Sequence, residues 1–139
     1  MSWRETWRET VESFLREVRD PADPGAAIPA ADPVAGAIAG ARAELRELER
    51  QLEATRARLD GETEAAAMCE RRRAQAERIG DADTARVAAR FGRRHADRAE
   101  VLTRKAAVLG DELALARRSL AELLDLARAE SGLSGGMPE

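Results

Sequence analysis

The sequence predicts an all-α protein: a long antiparallel coiled-coil helical hairpin, preceded by a short amphipathic helix. Two proline-free stretches carry small and apolar residues at alternating spacings of three and four, the pattern of a left-handed coiled coil. One short break, Gly80 to Arg86, separates them. The composition, 35% charged and only 3% aromatic with abundant alanine, suits closely spaced helices with wide solvated faces.

The break has the residues of a helix end followed by a helix start. Gly80 is a candidate left-handed cap for the first helix, because it has no Cβ. Asp81 or Asp83 can accept the free N–H groups of the next helix, where a carboxylate also interacts favourably with the helix dipole. We therefore predict a hairpin over residues 34–130 with its turn near 80–84.

Residues 1–20 predict a short helix with one apolar face, because its large apolar side chains follow a 3.6-residue period. These side chains are Trp3, Trp7, Val11, Phe14, Leu15 and Val18. Such a face suits the headgroup boundary of a membrane, and it also suits packing on the hairpin as a third helix. Since these residues carry four arginines against five acidic residues, lipid binding would depend on apolar insertion rather than on attraction to anionic lipid.

A linker is predicted at residues 21–33, because its prolines remove amide donors and disfavour helix. Asp32 and Pro33 then resemble an N-cap and a first helical residue. The predicted seam of the first helix comprises Val34, Ile38, Ala41, Leu45, Leu48, Leu52, Thr55, Leu59, Glu62, Ala66, Cys69, Arg73 and Ala76. That of the return helix comprises Ala88, Gly92, His95, Ala99, Leu102, Ala106, Leu109, Leu113, Ala116, Leu120, Leu123 and Ala127.

The return helix carries further apolar residues beside its seam. This second strip consists of Val101, Val108, Leu115, Leu124 and Leu126. A two-stranded hairpin needs only one seam, so the second strip predicts an additional contact, with the N-terminal helix or with another protomer. Gly132 is expected to stop the helix, which leaves residues 131–139 as a disordered tail.

The sequence predicts no catalytic, cofactor or metal site, and we expect no enzyme. His95 and Cys69, each the only residue of its type, fall roughly opposite each other on the seam, but no third partner or oxyanion donor accompanies them. A net charge of −3 argues against a nucleic-acid partner. A single cysteine fits a reducing compartment, and no apolar run reaches the roughly 20 residues that span a bilayer. We expect a cytoplasmic protein, either free or peripheral on the inner face of the membrane.

Positive charge is concentrated around the break. Residues 70–98 carry nine arginines against five acidic residues, whereas residues 111–130 carry three arginines against five. We define the basic tip as Arg71, Arg72, Arg78, Arg90, Arg93 and Arg94. Such a tip could contact an anionic surface or the acidic part of another copy, although an ordinary solvated face has the same composition.

The residues around the break carry a family motif. Gly80, Asp83, Ala85, Arg86 and Ala88 fall in register with a turn that reads Gly-x-Glu-Asp-Leu-Ala-Arg-x-Ala-Leu. This turn is typical of the phage-shock-protein-A family, with its vesicle-inducing plastid and cyanobacterial relatives, in the ESCRT-III-like membrane-remodelling superfamily. The alanine-rich approach 69–76 and the Asp-Pro pair that closes the first helix also resemble that family.

This resemblance implies a non-enzymatic hairpin that associates with membranes and with copies of itself, in an envelope-stress role with a regulatory protein as a further partner. The chain departs from the family in having Thr84 in place of leucine, a longer linker, and no later helices after the return helix. We therefore expect a short version with limited polymerisation. The alternative is a soluble coiled-coil scaffold or adaptor whose N-terminal helix packs on the hairpin or binds a partner protein.

Overall fold

The structure, a computed structural model, describes residues 8, 9, 11–13 and 32–135. Two long helices, α1 (Pro33–Arg78) and α2 (Ala82–Gly135), pack against each other as a helical hairpin, and the described part contains no strand. The predicted all-α hairpin is therefore confirmed. Residues 8, 9 and 11–13 are also helical and are named the N-terminal segment. Outside the described residues lie most of the predicted linker and Trp3, Trp7, Phe14, Leu15 and Val18.

The turn between the helices is a Schellman motif, in which a left-handed residue ends a helix. Gly80 has a φ of +75°, the conformation that a residue without a Cβ adopts at little cost. Its N–H donates to the carbonyl of Glu77 at 3.2 Å, and the N–H of Asp81 donates to the carbonyl of Ala76 at 2.9 Å. These bonds satisfy carbonyl groups that the end of α1 would otherwise leave unpaired, and they confirm Gly80 as the C-cap.

Aspartates begin both helices. The N–H of Val34 donates to Oδ1 of Asp32 at 3.0 Å. At the start of α2, Asp81 accepts the N–H of Thr84 at 3.1 Å and its hydroxyl at 2.6 Å. The hydroxyl and the N–H of Thr84 together hold the pKa of the Asp81 carboxyl below its ordinary value. Of the two candidate caps Asp81 is therefore the N-cap, while Asp83 lies within α2 and pairs with Arg86.

The hairpin divides into two compact units, and each helix contributes a segment to both. Unit 1 comprises residues 1–47 and 113–139, and unit 2 comprises residues 48–112. Among the described residues of unit 1, the buried side chains are Val34, Ala37, Ala41, Leu113, Ala116 and Ser119. All but Ala37 and Ser119 are predicted seam residues, so the apolar pattern identified most of this core.

The core of unit 2 changes character along its length. Leucines at 48, 52, 102 and 109 and Thr55 are buried in one part, whereas the buried residues near the turn are Ala76, Ala85 and Ala88. Small side chains allow the helices to approach closely there, but each buries less apolar area than a leucine. Glu62 and Arg73, which the pattern places on the seam, are half-buried.

The predicted end of α2 at Gly132 is wrong, because the helix continues to Gly135. A glycine ends a helix when it adopts a positive φ, and among the described glycines only Gly80 does so. Within a helix, glycine costs only about 1 kcal/mol relative to alanine, which the neighbouring hydrogen bonds can offset.

Candidate functional site

A groove in unit 1 lies between the N-terminal segment and α2. Its volume is about 320 Å³, and Arg8, Val11 and Glu12 line one side. The α2 residues that line it are Leu115, Arg118, Ser119, Glu122, Leu123 and Leu126. The N-terminal segment therefore lies beside the second strip, one of the two contacts that the strip predicted.

The residues of this groove are covered unevenly. Val11 and Leu115 are half-buried and Ser119 is buried, whereas Leu126 remains 49% exposed. Ser119 was missed as a site residue because serine interrupts an apolar pattern. It nevertheless lies four residues after Leu115, so the helical spacing alone places it on the same face. The contact is a shallow one, with part of the strip still open.

Within unit 2 the second strip is open to solvent. Val101 is 54% exposed and Val108 is 56% exposed, although both follow the same seven-residue repeat as Leu115. Single exposed apolar residues are ordinary on protein surfaces, but these two lie on the same face of α2, one heptad apart. This part of α2 is a candidate surface for contact with another helix.

The basic tip is divided between the helices. On α2, Arg90, Arg93 and Arg94 line a shallow hollow of about 400 Å³ together with Arg86, Ala89 and Asp97. A second hollow, lined by Asp83, Arg86, Val87 and Arg90, lies next to it and shares two of these arginines. The structure therefore brings together half of the predicted basic tip. It adds Arg86, which the sequence had assigned to the turn alone.

Two apolar side chains lie among these arginines. Val87 is 55% exposed and Phe91 is 46% exposed, and the guanidinium carbon of Arg94 lies 5.5 Å from the centroid of the Phe91 ring. This cation–π contact holds a charge against an apolar ring. The surface thus combines positive charge with exposed apolar groups.

On α1, by contrast, two arginines are paired with carboxylates of their own helix. Arg71 contacts Glu64 at 3.2 Å, and Arg73 contacts both Glu70 and Glu77 at 2.5 Å. The hydrogen bonds from Glu70 and Glu77 raise the pKa of Arg73, and its guanidinium in turn holds the pKa of Glu70 below its ordinary value. Arg72 and Arg78, the other predicted members on α1, are exposed.

The only histidine is part of a polar contact between the two helices. Nδ1 of His95 lies 2.6 Å from a carboxylate oxygen of Glu62, and Arg98 lies 4.0 Å from the other oxygen. Cys69 packs instead against Gly92, where an added Cβ would lie 3.2 Å from the Cys69 Cβ. The prediction that His95 lies opposite Cys69 is therefore wrong. The side chain of His95 pairs with Glu62, and Cys69 lies against Gly92. Within the described residues no group of three or more potential ligands could hold a metal ion.

Among the described helices, none combines the length and the apolar character needed to cross a membrane. No family model, curated protein or solved structure matches this chain, so its resemblance to the phage-shock-protein-A family stays a prediction.

Proposed function

We propose that this protein is a non-enzymatic helical hairpin that binds a membrane surface through its N-terminal helix and associates with copies of itself through the hairpin. Its role would be in membrane or envelope stress, on the inner face of the membrane. The observation that carries the proposal is the shallow groove between the N-terminal segment and the second strip.

The shallow groove supports the proposal that the N-terminal helix can detach from the hairpin. Full burial of an aliphatic side chain contributes about 1.5–3 kcal/mol, and Val11 is only half-buried. Val11 therefore contributes less than this to holding the N-terminal segment against α2. The remaining apolar residues of the predicted N-terminal helix, above all its two tryptophans, suit the headgroup region of a bilayer. Transfer of this apolar face to a membrane would offset the loss of the contact with α2.

Self-association is supported by the open part of the second strip. Val101 and Val108 present exposed apolar groups on one face of α2, one heptad apart, and a helix of a neighbouring molecule could cover both. The mass of the protein in solution, measured by light scattering with and without vesicles, tests this part of the proposal. A monomer under both conditions would contradict it.

Tryptophan fluorescence tests the membrane part, because Trp3 and Trp7 are the only tryptophans and both belong to the predicted N-terminal helix. We expect a blue shift on addition of phosphatidylcholine vesicles containing phosphatidylglycerol, and a smaller one for Trp7→Glu. An unchanged spectrum of the wild-type protein would contradict insertion.

The same groove favours a second candidate, a soluble scaffold or adaptor whose N-terminal helix stays packed on the hairpin. In that case the tryptophans should already be protected from a soluble quencher without lipid. Trp7→Glu should then lower the thermal midpoint of the lipid-free protein, because it would place a charge in a packed contact. Full quencher access together with an unchanged midpoint would contradict this candidate.

A further inference from the structure

A cluster of four arginines lies on one face of α2 close to the turn. Arg86, Arg90, Arg93 and Arg94 are spaced at i, i+4, i+7 and i+8, and all four are exposed. At 1.5 Å per residue they span about 12 Å of helix. We name them the arginine face.

Most of this charge is not neutralised by the protein. Arg86 pairs with Asp83, but Arg90, Arg93 and Arg94 form no ion pair with any carboxylate in the described part of the chain. The nearby Asp97 lines the same hollow, so the four arginines and these two aspartates leave a net charge of +2. On α1, Arg71 and Arg73 are paired, while Arg72 and Arg78 are exposed. The arginine face is therefore available to an external anion.

The surroundings of the charges distinguish between possible anions. Val87 lines a hollow with Arg86 and Arg90, the Phe91 ring lies against Arg94, and both apolar side chains are about half exposed. Nucleic acid offers a continuous polyanion, which the chain's net charge of −3 opposes. A bilayer surface needs only a local basic patch, and its headgroup region also accepts exposed apolar side chains.

We propose that the arginine face binds the surface of an anionic lipid bilayer, with the arginines at the phosphate groups and Val87 and Phe91 entering the headgroup region. This deepens the proposed function, on which it rests for the membrane setting. The arginine face also supplies the positive charge that the N-terminal helix lacks. That helix carries more acidic residues than arginines, so attraction to anionic lipid would come from the arginine face.

The test compares two triple variants of the full chain in vesicle flotation. The first is R90Q/R93Q/R94Q, and the matched control is R42Q/R46Q/R58Q, which removes the same charge from exposed positions of α1. Glutamine has nearly the helix propensity of arginine, so both variants should keep the fold, which circular dichroism checks. Since each arginine near an anionic surface contributes roughly fivefold in affinity, the first variant should bind phosphatidylglycerol-containing vesicles on the order of 100-fold more weakly. The matched control should lose far less affinity for these vesicles.

A third protein, W3S/W7S, separates this inference from the proposed function. If W3S/W7S binds both neutral and anionic vesicles more weakly than the wild type, and the arginine variant loses only its preference for anionic vesicles, both proposals hold. If W3S/W7S binds as the wild type and the arginine variant does not, the arginine face binds lipid and insertion of the N-terminal helix is wrong.

Several results would overturn the arginine face as a lipid site. These are unchanged binding of R90Q/R93Q/R94Q, an equal loss in the matched control, or no preference of the wild type for anionic over phosphatidylcholine vesicles. A loss of binding to a DNA oligonucleotide or to polyglutamate, without a loss on vesicles, would assign the face to a different class of partner.

Discussion

The same apolar strip on α2 is partly covered in unit 1, at Leu115, and open in unit 2. In unit 1, Leu115 is half-buried and Ser119 is buried beside the N-terminal segment. In unit 2, Val101 and Val108 are both more than half exposed. The seam between α1 and α2 is buried in both units, so the difference does not arise from the hairpin itself. We infer from this difference that the seam between α1 and α2 stabilises the fold, whereas the second strip is available for contacts that can change.

The two units share the seam, and this predicts that seam substitutions act alike in both. Leu113→Ala in unit 1 and Leu109→Ala in unit 2 each remove a side chain that is about 95% buried. Each should lower the free energy of unfolding by about 2–4 kcal/mol, from the lost apolar burial and the cavity that remains. Denaturant unfolding followed by circular dichroism measures this, with Leu133→Ala, at an exposed position, as the control. A lower free energy of unfolding in only one of the two leucine variants would show that the seam stabilises the units differently.

The second strip, in contrast, predicts different effects in the two units. Leu115→Glu should lower the free energy of unfolding by about 1–2 kcal/mol, because it replaces a half-buried apolar side chain of the unit 1 groove with a charged one. Val108→Glu in unit 2 should stay within about 0.5 kcal/mol, since the side chain is exposed.

Thermal unfolding of the two variants at one protein concentration compares them directly. Equal effects would mean that the N-terminal segment contributes nothing to the stability of unit 1. A large effect of Val108→Glu that grows with protein concentration would show instead that another copy covers unit 2.

Much of the hairpin could be predicted because its determinants are local. The alternating spacing of apolar residues fixes which face of each helix is buried, and Gly80 and Asp81 form the turn with residues at most five positions away. The pairing of His95 with Glu62 was not predictable in the same way. The short turn between Arg78 and Ala82 excludes a slip of a whole heptad, but it leaves an offset of a few residues between the helices, and that offset decides which residue His95 meets.

The two surfaces of α2 were predicted only in part, for a related reason. The second strip was evident from its spacing, but which of its residues are covered depends on where the N-terminal segment lies, and that is a tertiary property. The basic tip was evident from composition. Only the structure separates Arg71, which is paired, from Arg90 and Arg93, because ion pairing depends on rotamers rather than on residue counts.

The turn of unit 2 provides a prediction of intermediate size with an internal control. Gly80→Ala should lower the free energy of unfolding by about 1 kcal/mol, because alanine is strained at a φ of +75°. Gly61→Ala should raise it by about 0.5–1 kcal/mol, since Gly61 lies within α1 and a Cβ there would contact nothing within 4 Å. Chemical denaturation of both variants checks the opposite signs. A neutral or stabilising Gly80→Ala would mean that the turn relaxes to another conformation.

The smallest expected effect concerns the N-cap of α2 and its dependence on pH. The hydroxyl and N–H of Thr84 hold the pKa of Asp81 low in the folded protein, so the ionised carboxylate stabilises the fold at neutral pH. This contribution should be lost as the pH falls below the ordinary carboxyl pKa of about 3.9 and through the lowered value. Asp81→Asn keeps a capping acceptor but cannot ionise, so its stability deficit relative to the wild type should shrink across this acidic window.

Thermal unfolding of the wild type and of Asp81→Asn across the same pH range measures this deficit. Thr84→Val, which removes the hydroxyl donor, should lose part of the same pH dependence. If the deficit of Asp81→Asn is constant with pH, the carboxylate charge adds nothing to the cap. The turn would then depend on Gly80 and on the hydrogen-bond geometry alone. If the deficit disappears in acid, charge at the start of α2 stabilises the alanine-rich end of unit 2, where packing contributes least.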